Sequence, residues 1–155
     1  AGPCLKAGAA DLLDALDAEE KLGQRQSKQV VLLGITAALR ARPAETDFVV
    51  AKFLTNLDAR IRADAANTLA RIRAKNANVA LRTMLLSDDD ANARANAARA
   101  LGAAEDKEAF NLLLEAAITD EDSRVRVSAI RSLASLNNKE VADKLSERGE
   151  NLILN

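Results

Sequence analysis

Arginine and aspartate recur at a fixed interval in this chain, in a pattern that could bind anions or lock a repeated structure. The residues that keep a spacing of 32 are Arg62, Arg94, Arg126, Asp58, Asp90 and Asp122. A column of guanidinium groups could hold anionic ligands, because each one presents planar donors to a carboxylate or a phosphate. We favour a structural ladder, in which each arginine pairs with an aspartate of its own or an adjacent repeat and satisfies loop carbonyls.

A second set of polar residues falls on the outward side of the same predicted helices. This row contains no acidic residue, and its members are Arg60, Asn67, Arg71, Asn92, Arg99, Arg124 and Arg131. Acidic residues concentrate elsewhere, with five within residues 11–20 and seven within residues 105–122. We therefore expect a basic face with acidic edges, which suits an acidic peptide, a partner domain or a phosphorylated ligand. The alternative is a solvated face that only keeps the protein in solution.

Residues that could support catalysis or metal binding are few. The chain has no histidine and one cysteine, Cys4, which removes histidine-based acid–base chemistry, histidine-ligated metals and an internal disulfide. Cys4 has no histidine to activate it, so we interpret it as a structural or incidental thiol. Segment 88–99 begins like a calcium loop, but it has Ala93 where glycine is needed and Arg99 where glutamate is needed. We expect no catalytic residue, no metal and no cofactor.

The composition indicates that helices position these residues. Hydrophobic residues make up 48% of the 155 residues but aromatic residues only 2%, so alanine and leucine, which favour helices, supply most of the apolar surface. Helix breakers are scarce, with 6 glycines and 2 prolines. The net charge of −1 and the absence of a basic excess disfavour a nucleic-acid ligand. The chain also contains no apolar run of the roughly 18 residues needed to cross a membrane.

A repeat of 32 residues organises the helices. Each copy is predicted to hold a first helix, capped by Asp58, Asp90 or Asp122, and a second apolar helix that begins near Asn76, Asp106 or Asn138. Because one helical pair cannot bury its apolar stripe alone, the copies must stack. Three further helices are predicted upstream, over residues 4–22, 27–39 and 44–54. We expect one domain over 1–155, with degenerate repeats in 1–57, three regular repeats in 58–147 and a tail in 148–155.

The repeated helix resembles a known family. The Asp-x-x-Val-Arg-x-x-Ala-Ile-x-x-Leu pattern of residues 122–133 is similar to HEAT-like repeats, especially the short type of bacterial and archaeal proteins. The resemblance covers about residues 58–147. It implies an all-α, right-handed superhelical solenoid of helical hairpins, with the first helices on the concave face and an aspartate–arginine ladder along the stack. The family includes both scaffolds and enzymes, so the resemblance does not select an activity.

From these observations we expect a non-catalytic scaffold for protein interaction, with an acidic partner or domain bound in the basic concave groove. The alternative is a regulatory or substrate-holding segment of a larger enzyme, of the lyase or peptidyl-prolyl isomerase type, whose catalytic domain lies outside these residues. A nucleic-acid reader is disfavoured further because we predict the only aromatic residues, Phe48, Phe53 and Phe110, to lie in the core, where they cannot stack on bases. The sequence leaves the oligomeric state open, and of the compartments the cytoplasm is favoured.

Overall fold

The chain is an all-α solenoid. The computed structural model describes residues 8, 11–18 and 28–136, and within them it contains helices and no strand. The helices are α1 (residues 11–18), α2 (Lys28–Ala41), α3 (Thr46–Ala51), α4 (Ala59–Ile72), α5 (Asn78–Ser87), α6 (Ala91–Ala103), α7 (Phe110–Thr119) and α8 (Ser123–Ser135). Short 3-10 turns over Lys52–Thr55 and Lys107–Ala109 follow α3 and precede α7. Within these described ranges, no helix combines the length and apolar character needed to span a membrane.

The helices form two layers. Helices α4, α6 and α8 pack side by side in one layer, while α5 packs on α6 and α7 packs on α8 in the other. Each predicted second helix therefore pairs mainly with the first helix of the following repeat. The structural hairpins are α5–α6 and α7–α8, each joined by a loop of three residues.

Side-chain caps explain where the first helices begin. Asp58 accepts hydrogen bonds from the backbone N–H groups of Arg60 and Ile61, and Asp90 and Asp122 cap α6 and α8 in the same way. These bonds satisfy N–H groups of the first turn that have no partner within the helix. The predicted N-caps are confirmed at all three positions.

Two helices of the layer end on residues with left-handed backbone conformation. Arg73 follows α4 with φ of 54° and Glu105 follows α6, beyond Ala104, with φ of 57°. The N–H of the following residue closes each helix end. Ala74 donates to the Leu69 carbonyl at 3.1 Å, and Asp106 donates to the Leu101 carbonyl at 3.0 Å. Glycine is the usual residue at such a position, since it has no Cβ to clash.

The core runs continuously through the stack. Leu69, Leu101 and Leu133, one in each copy, are almost completely buried, and one cluster of buried apolar residues extends from Leu13 to Leu133. Small residues let α6 and α8 approach closely: a Cβ built on Gly102 would lie 2.5 Å from the Cβ of Ser132. The Ser132 hydroxyl donates to the Ala98 carbonyl of α6 at 2.8 Å, which ties the two helices together.

The prediction of a core position was correct for two of the three aromatic residues and wrong for Phe48. Phe53 and Phe110 are buried, but Phe48 is 60% exposed. Helix α3 buries Thr46 and Val50. Phe48 lies two residues from each of them, and two residues turn an α-helix by about 200°, so its side chain lies on the opposite side. The predictions for Cys4, for the helix near Asn138 and for the tail fall outside the described residues.

Candidate functional site

Two of the repeated arginines form bidentate ion pairs with the next loop along the stack. Arg62 binds Asp88 through Nε at 2.7 Å and Nη2 at 2.8 Å. Arg94 binds Asp120 through the same atoms at 2.9 and 3.0 Å. The Nη1 atom of each donates to two carbonyls of the loop that precedes its own helix. Each guanidinium therefore joins two successive loops.

The carboxylates of this ladder are not the ones that we assigned to it. Asp58, Asp90 and Asp122 bind first-turn N–H groups as N-caps, so their carboxylates are already engaged. The ladder carboxylate lies two positions earlier, at Asp88 and Asp120, and it also accepts from the N-cap's own N–H at 2.9 Å. Asn56 makes the same contact with the N–H of Asp58 at 2.9 Å. Residues 56, 88 and 120 share the 32-residue spacing, so the repeat pattern could have identified the ladder carboxylates from the sequence.

Charge and burial make the ladder a structural element. The side chains of Arg94 and Asp120 are 10% and 9% exposed. The hydrogen bonds that Arg62 donates to Asp88 raise the pKa of Arg62, and those that Arg94 donates to Asp120 raise the pKa of Arg94. Burial by itself would raise the pKa of Asp88, but hydrogen bonds from Arg62 and from the N–H of Asp90 outweigh it and lower that pKa. Arg62 and Asp88 therefore both stay ionised near neutral pH.

Arg126 repeats half of this arrangement. Its Nη1 donates to the carbonyls of Asp120 at 2.8 Å and Glu121 at 3.0 Å. The position 26 residues further on, which holds an aspartate for Arg62 and Arg94, is Leu152; it has no carboxylate, and it lies outside the described residues.

The predicted outward row lies along the α4–α6–α8 layer, and hydrogen bonds join its members across repeats. The Nη1 of Arg124 donates to the Asn92 amide oxygen at 2.8 Å, and that of Arg99 donates to the Asn67 amide oxygen at 3.4 Å. Arg71 and Arg131 are exposed on the same layer. The structure therefore brings neighbouring members of the row together in pairs.

The end of the row near the helix N-termini is electrically neutralised. Arg60 pairs with Asp64 one turn later at 3.1 Å. Arg124 pairs with Asp122, its own N-cap, at 2.7 Å, and this contact lowers the pKa of Asp122 and raises that of Arg124. The row itself contains no acidic residue, but Asp64 and Asp122 lie beside it and neutralise Arg60 and Arg124.

The other end of the row opens into a cleft of about 440 Å³. The charged residues of its lining are Arg71, Arg73, Arg99, Arg131 and Glu105. None of these arginines forms an ion pair with any carboxylate in the described part of the chain. Sequence reasoning missed Arg73 and Glu105. Their spacing of 32 residues, just past the predicted ends of two first helices, is the signal that could have found them.

The comparisons with known proteins identify the repeat. The family model described as HEAT repeats matches residues 78–151, which begin at the first residue of α5 and include α6, α7 and α8. A search of curated proteins found no match to this chain. HEAT repeats generally mediate protein–protein interaction or scaffolding and are typically non-catalytic. The resemblance of the sequence to the HEAT-like repeat family is therefore confirmed, with residues 78–151 matching HEAT repeats.

Proposed function

We propose that this chain is a non-catalytic interaction scaffold that holds an acidic partner protein or domain on the face of α4, α6 and α8. One observation carries this proposal: four arginines line one cleft and form no ion pair with any other described residue, whereas Arg62 and Arg94 of the same layer are bound to carboxylates. Unpaired positive charge in a concave surface attracts negatively charged partners and selects against positively charged ones.

The packing of the two layers supports a concave shape for this face. Helix α6 packs extensively against both α4 and α8, whereas α5 and α7 touch at only a few positions. A two-layer array curves toward the layer in which the helices are closer. The close approach of Gly102 to Ser132 lies within that layer and lines the same cleft.

The domain organisation is part of the proposal. A single solenoid over residues 1–155, with degenerate repeats in 1–57, regular repeats in 58–147 and a tail in 148–155, is consistent with the unbroken buried cluster from Leu13 to Leu133. A partner would then lie against one continuous face.

Affinity capture with the full chain as bait tests this function. The variant Arg99→Glu/Arg131→Glu reverses two charges in the cleft. The control Arg40→Glu/Arg42→Glu reverses two exposed charges at the end of α2. Circular dichroism must show that both variants keep their helices.

We expect a partner that the parent and the control retain, that the cleft variant loses, and whose capture weakens as salt rises. A partner held equally by all three proteins would contradict the proposal and move the site away from this face. If the parent captures no partner, a regulatory or substrate-holding segment of a larger enzyme would be favoured instead.

A further inference from the structure

We propose that the cleft formed by Arg71, Arg73, Arg99 and Arg131 binds the phosphoryl group of a phosphoserine or phosphothreonine on the partner protein. This inference rests on the proposed function and narrows its acidic ligand to one chemical group. Its starting point is the charge of the cleft, where four arginines face one acid, Glu105. Bound phosphoserine would bring about −1.5 to −2 charges to this excess.

The number of donors and their origin on three helices favour a phosphoryl group over a carboxylate. The arginines come from three stacked helices: Arg71 and Arg73 from the end of α4, Arg99 from α6 and Arg131 from α8. A carboxylate has two oxygens, which one guanidinium fork occupies. A phosphoryl group has three strong acceptor oxygens and can be shared by forks that approach from several sides.

One hydroxyl group on α8 adds a neutral hydrogen-bond donor to the cleft. Ser132 and Ser135 line the cleft, but their hydroxyls already donate to backbone carbonyls of α6 and α8. The hydroxyl of Ser128, on the turn before, makes no hydrogen bond within the described residues and also lines the cleft. It supplies an additional neutral donor beside Arg131.

The backbone conformation at the end of α4 positions one of the four guanidinium groups. Arg73 and Glu105 line the cleft and adopt positive φ, as Arg42 and Glu45 do elsewhere in the chain. A glycine at residue 73 would relieve the strain but would remove the guanidinium of Arg73 from the cleft.

The distribution of charge along the layer argues against a nucleic acid. A nucleic-acid backbone needs a stripe of cations along its path. Here the other end of the row is neutralised, because Arg60 is paired with Asp64 and Arg124 with Asp122. Within the described residues, the arginines of the row that form no ion pair are Arg71, Arg99 and Arg131, and all three line this one cleft, which suits a single compact dianion.

Three labelled nonapeptide libraries with randomised flanks test the proposal, carrying phosphoserine, glutamate or serine at the centre. Fluorescence anisotropy with the full chain measures the average affinity of each library at two salt concentrations, and a labelled 20-nucleotide single strand is the fourth probe. The variants Arg99→Gln and Arg131→Gln each remove one charge from the cleft. Arg60→Gln is the matched control, because it removes one charge from a paired arginine on the same layer. Arg131→Lys keeps the charge but removes the planar fork.

We expect the phosphoserine library to bind at least about tenfold more tightly than the glutamate and serine libraries, since charge-assisted bonds to a phosphate are strong and bidentate. Arg99→Gln and Arg131→Gln should each weaken that binding about tenfold, Arg131→Lys should weaken it severalfold, and Arg60→Gln should change it less than twofold. Circular dichroism of every variant shows that a loss of binding is not a loss of fold.

Other results would overturn the inference and separate it from the proposed function. If the glutamate library binds as tightly as the phosphoserine library and both depend on Arg99 and Arg131, phosphoryl specificity is wrong while the acidic-partner function stands. If neither the phosphoserine nor the glutamate library binds better than the serine library, the phosphoryl site is wrong. If, in addition, the Arg99→Glu/Arg131→Glu variant captures the same partner as the parent, the proposed function is wrong as well. Tighter binding of the oligonucleotide than of any library would replace both with a nucleic-acid ligand.

Discussion

Removing Arg94 should destabilise the fold strongly, because this arginine lies between two loops and its partner is buried. Arg94→Met keeps most of the side-chain length but removes the bidentate bonds to Asp120 at 2.9 and 3.0 Å. It also removes the bonds to the carbonyls of Asp88 and Asp89 at 2.8 and 3.4 Å. The carboxylate of Asp120, only 9% exposed, then keeps one hydrogen bond, from the N–H of Asp122.

The magnitude follows from this burial. Breaking a buried pair by removing one partner costs about 3–5 kcal/mol, because the remaining charge is left without compensation. Since Asp120 retains some contact with water and one donor, we expect a loss of about 3 kcal/mol in the free energy of unfolding. A domain of this size has about 5–15 kcal/mol in total, so the loss is a large fraction.

Urea unfolding at pH 7 provides the measurement, and a double-mutant cycle with Asp120→Asn isolates the pair. The coupling energy should be about 2 kcal/mol, within the range found for contacting residues. The matched control is a cycle on Arg60 and Asp64, whose side chains are 66% and 32% exposed. An exposed pair one helical turn apart should give no more than about 0.5 kcal/mol.

Equal coupling energies in the two cycles would refute this reasoning. They would mean that the Arg94 guanidinium is as well solvated as that of Arg60, so the loops would not be locked by the ladder. A large cost of Arg94→Met with no coupling to Asp120 would instead assign the effect to the loop carbonyls alone.

The core, the helix ends and the ionised loops allow three further tests by denaturant or thermal unfolding. Leu101→Ala should cost roughly 2–5 kcal/mol because it leaves a cavity in the fully buried core, and an unchanged melting temperature would refute the register. Arg73→Gly should stabilise the chain by about 1 kcal/mol, because a left-handed residue other than glycine costs about 1–2 kcal/mol; a loss of stability would show that the side chain contributes more than its conformation costs. The pKa of Asp88 is lowered in the folded chain, so the unfolded chain binds more protons. Its contribution to stability is therefore fully present above the unfolded pKa of about 3.9 and is lost as the pH falls through the lower folded pKa. Asp88→Asn should make the free energy of unfolding decline less steeply below about pH 4. The same decline in the variant as in the parent would show that this carboxylate does not cause it.

Local rules predicted the parts of the fold that depend on neighbouring residues. The caps at Asp58, Asp90 and Asp122 were visible because an N-cap needs only its own helix. The stripe through Leu69, Leu101 and Leu133 was visible because it repeats the helical period. The contact between Arg60 and Asp64 was equally accessible, since residues four apart meet on a helix surface, but it was overlooked in favour of the row.

Contacts between loops were harder to predict. Asp88 meets Arg62 across 26 residues, and only the stacking of the repeats brings the two together. The cleft likewise depends on the left-handed residues Arg73 and Glu105, which helical periodicity does not describe. Phe48 was misplaced because its spacing was interpreted as that of a core residue, whereas the side of α3 that meets the core carries Thr46 and Val50.

The direction of the helices places the loop aspartates and the cleft arginines toward opposite ends of the layer. Helices α4, α6 and α8 are copies of one repeat and point the same way, so their aspartate-rich loops all lie at the N-terminal end of the layer. Acidic residues are favoured in the first turn of a helix and basic residues in the last turn, each by about 0.3–1 kcal/mol. This preference stabilises the loop aspartates and Arg71, which lies in the last turn of α4, whereas Arg99 and Arg131 lie before the last turns of α6 and α8. The cleft arginines are distinct from the ladder arginines that hold the stack. Substitutions at Arg99 or Arg131 can consequently alter what the face binds while leaving the ion pairs of Arg62 and Arg94 intact.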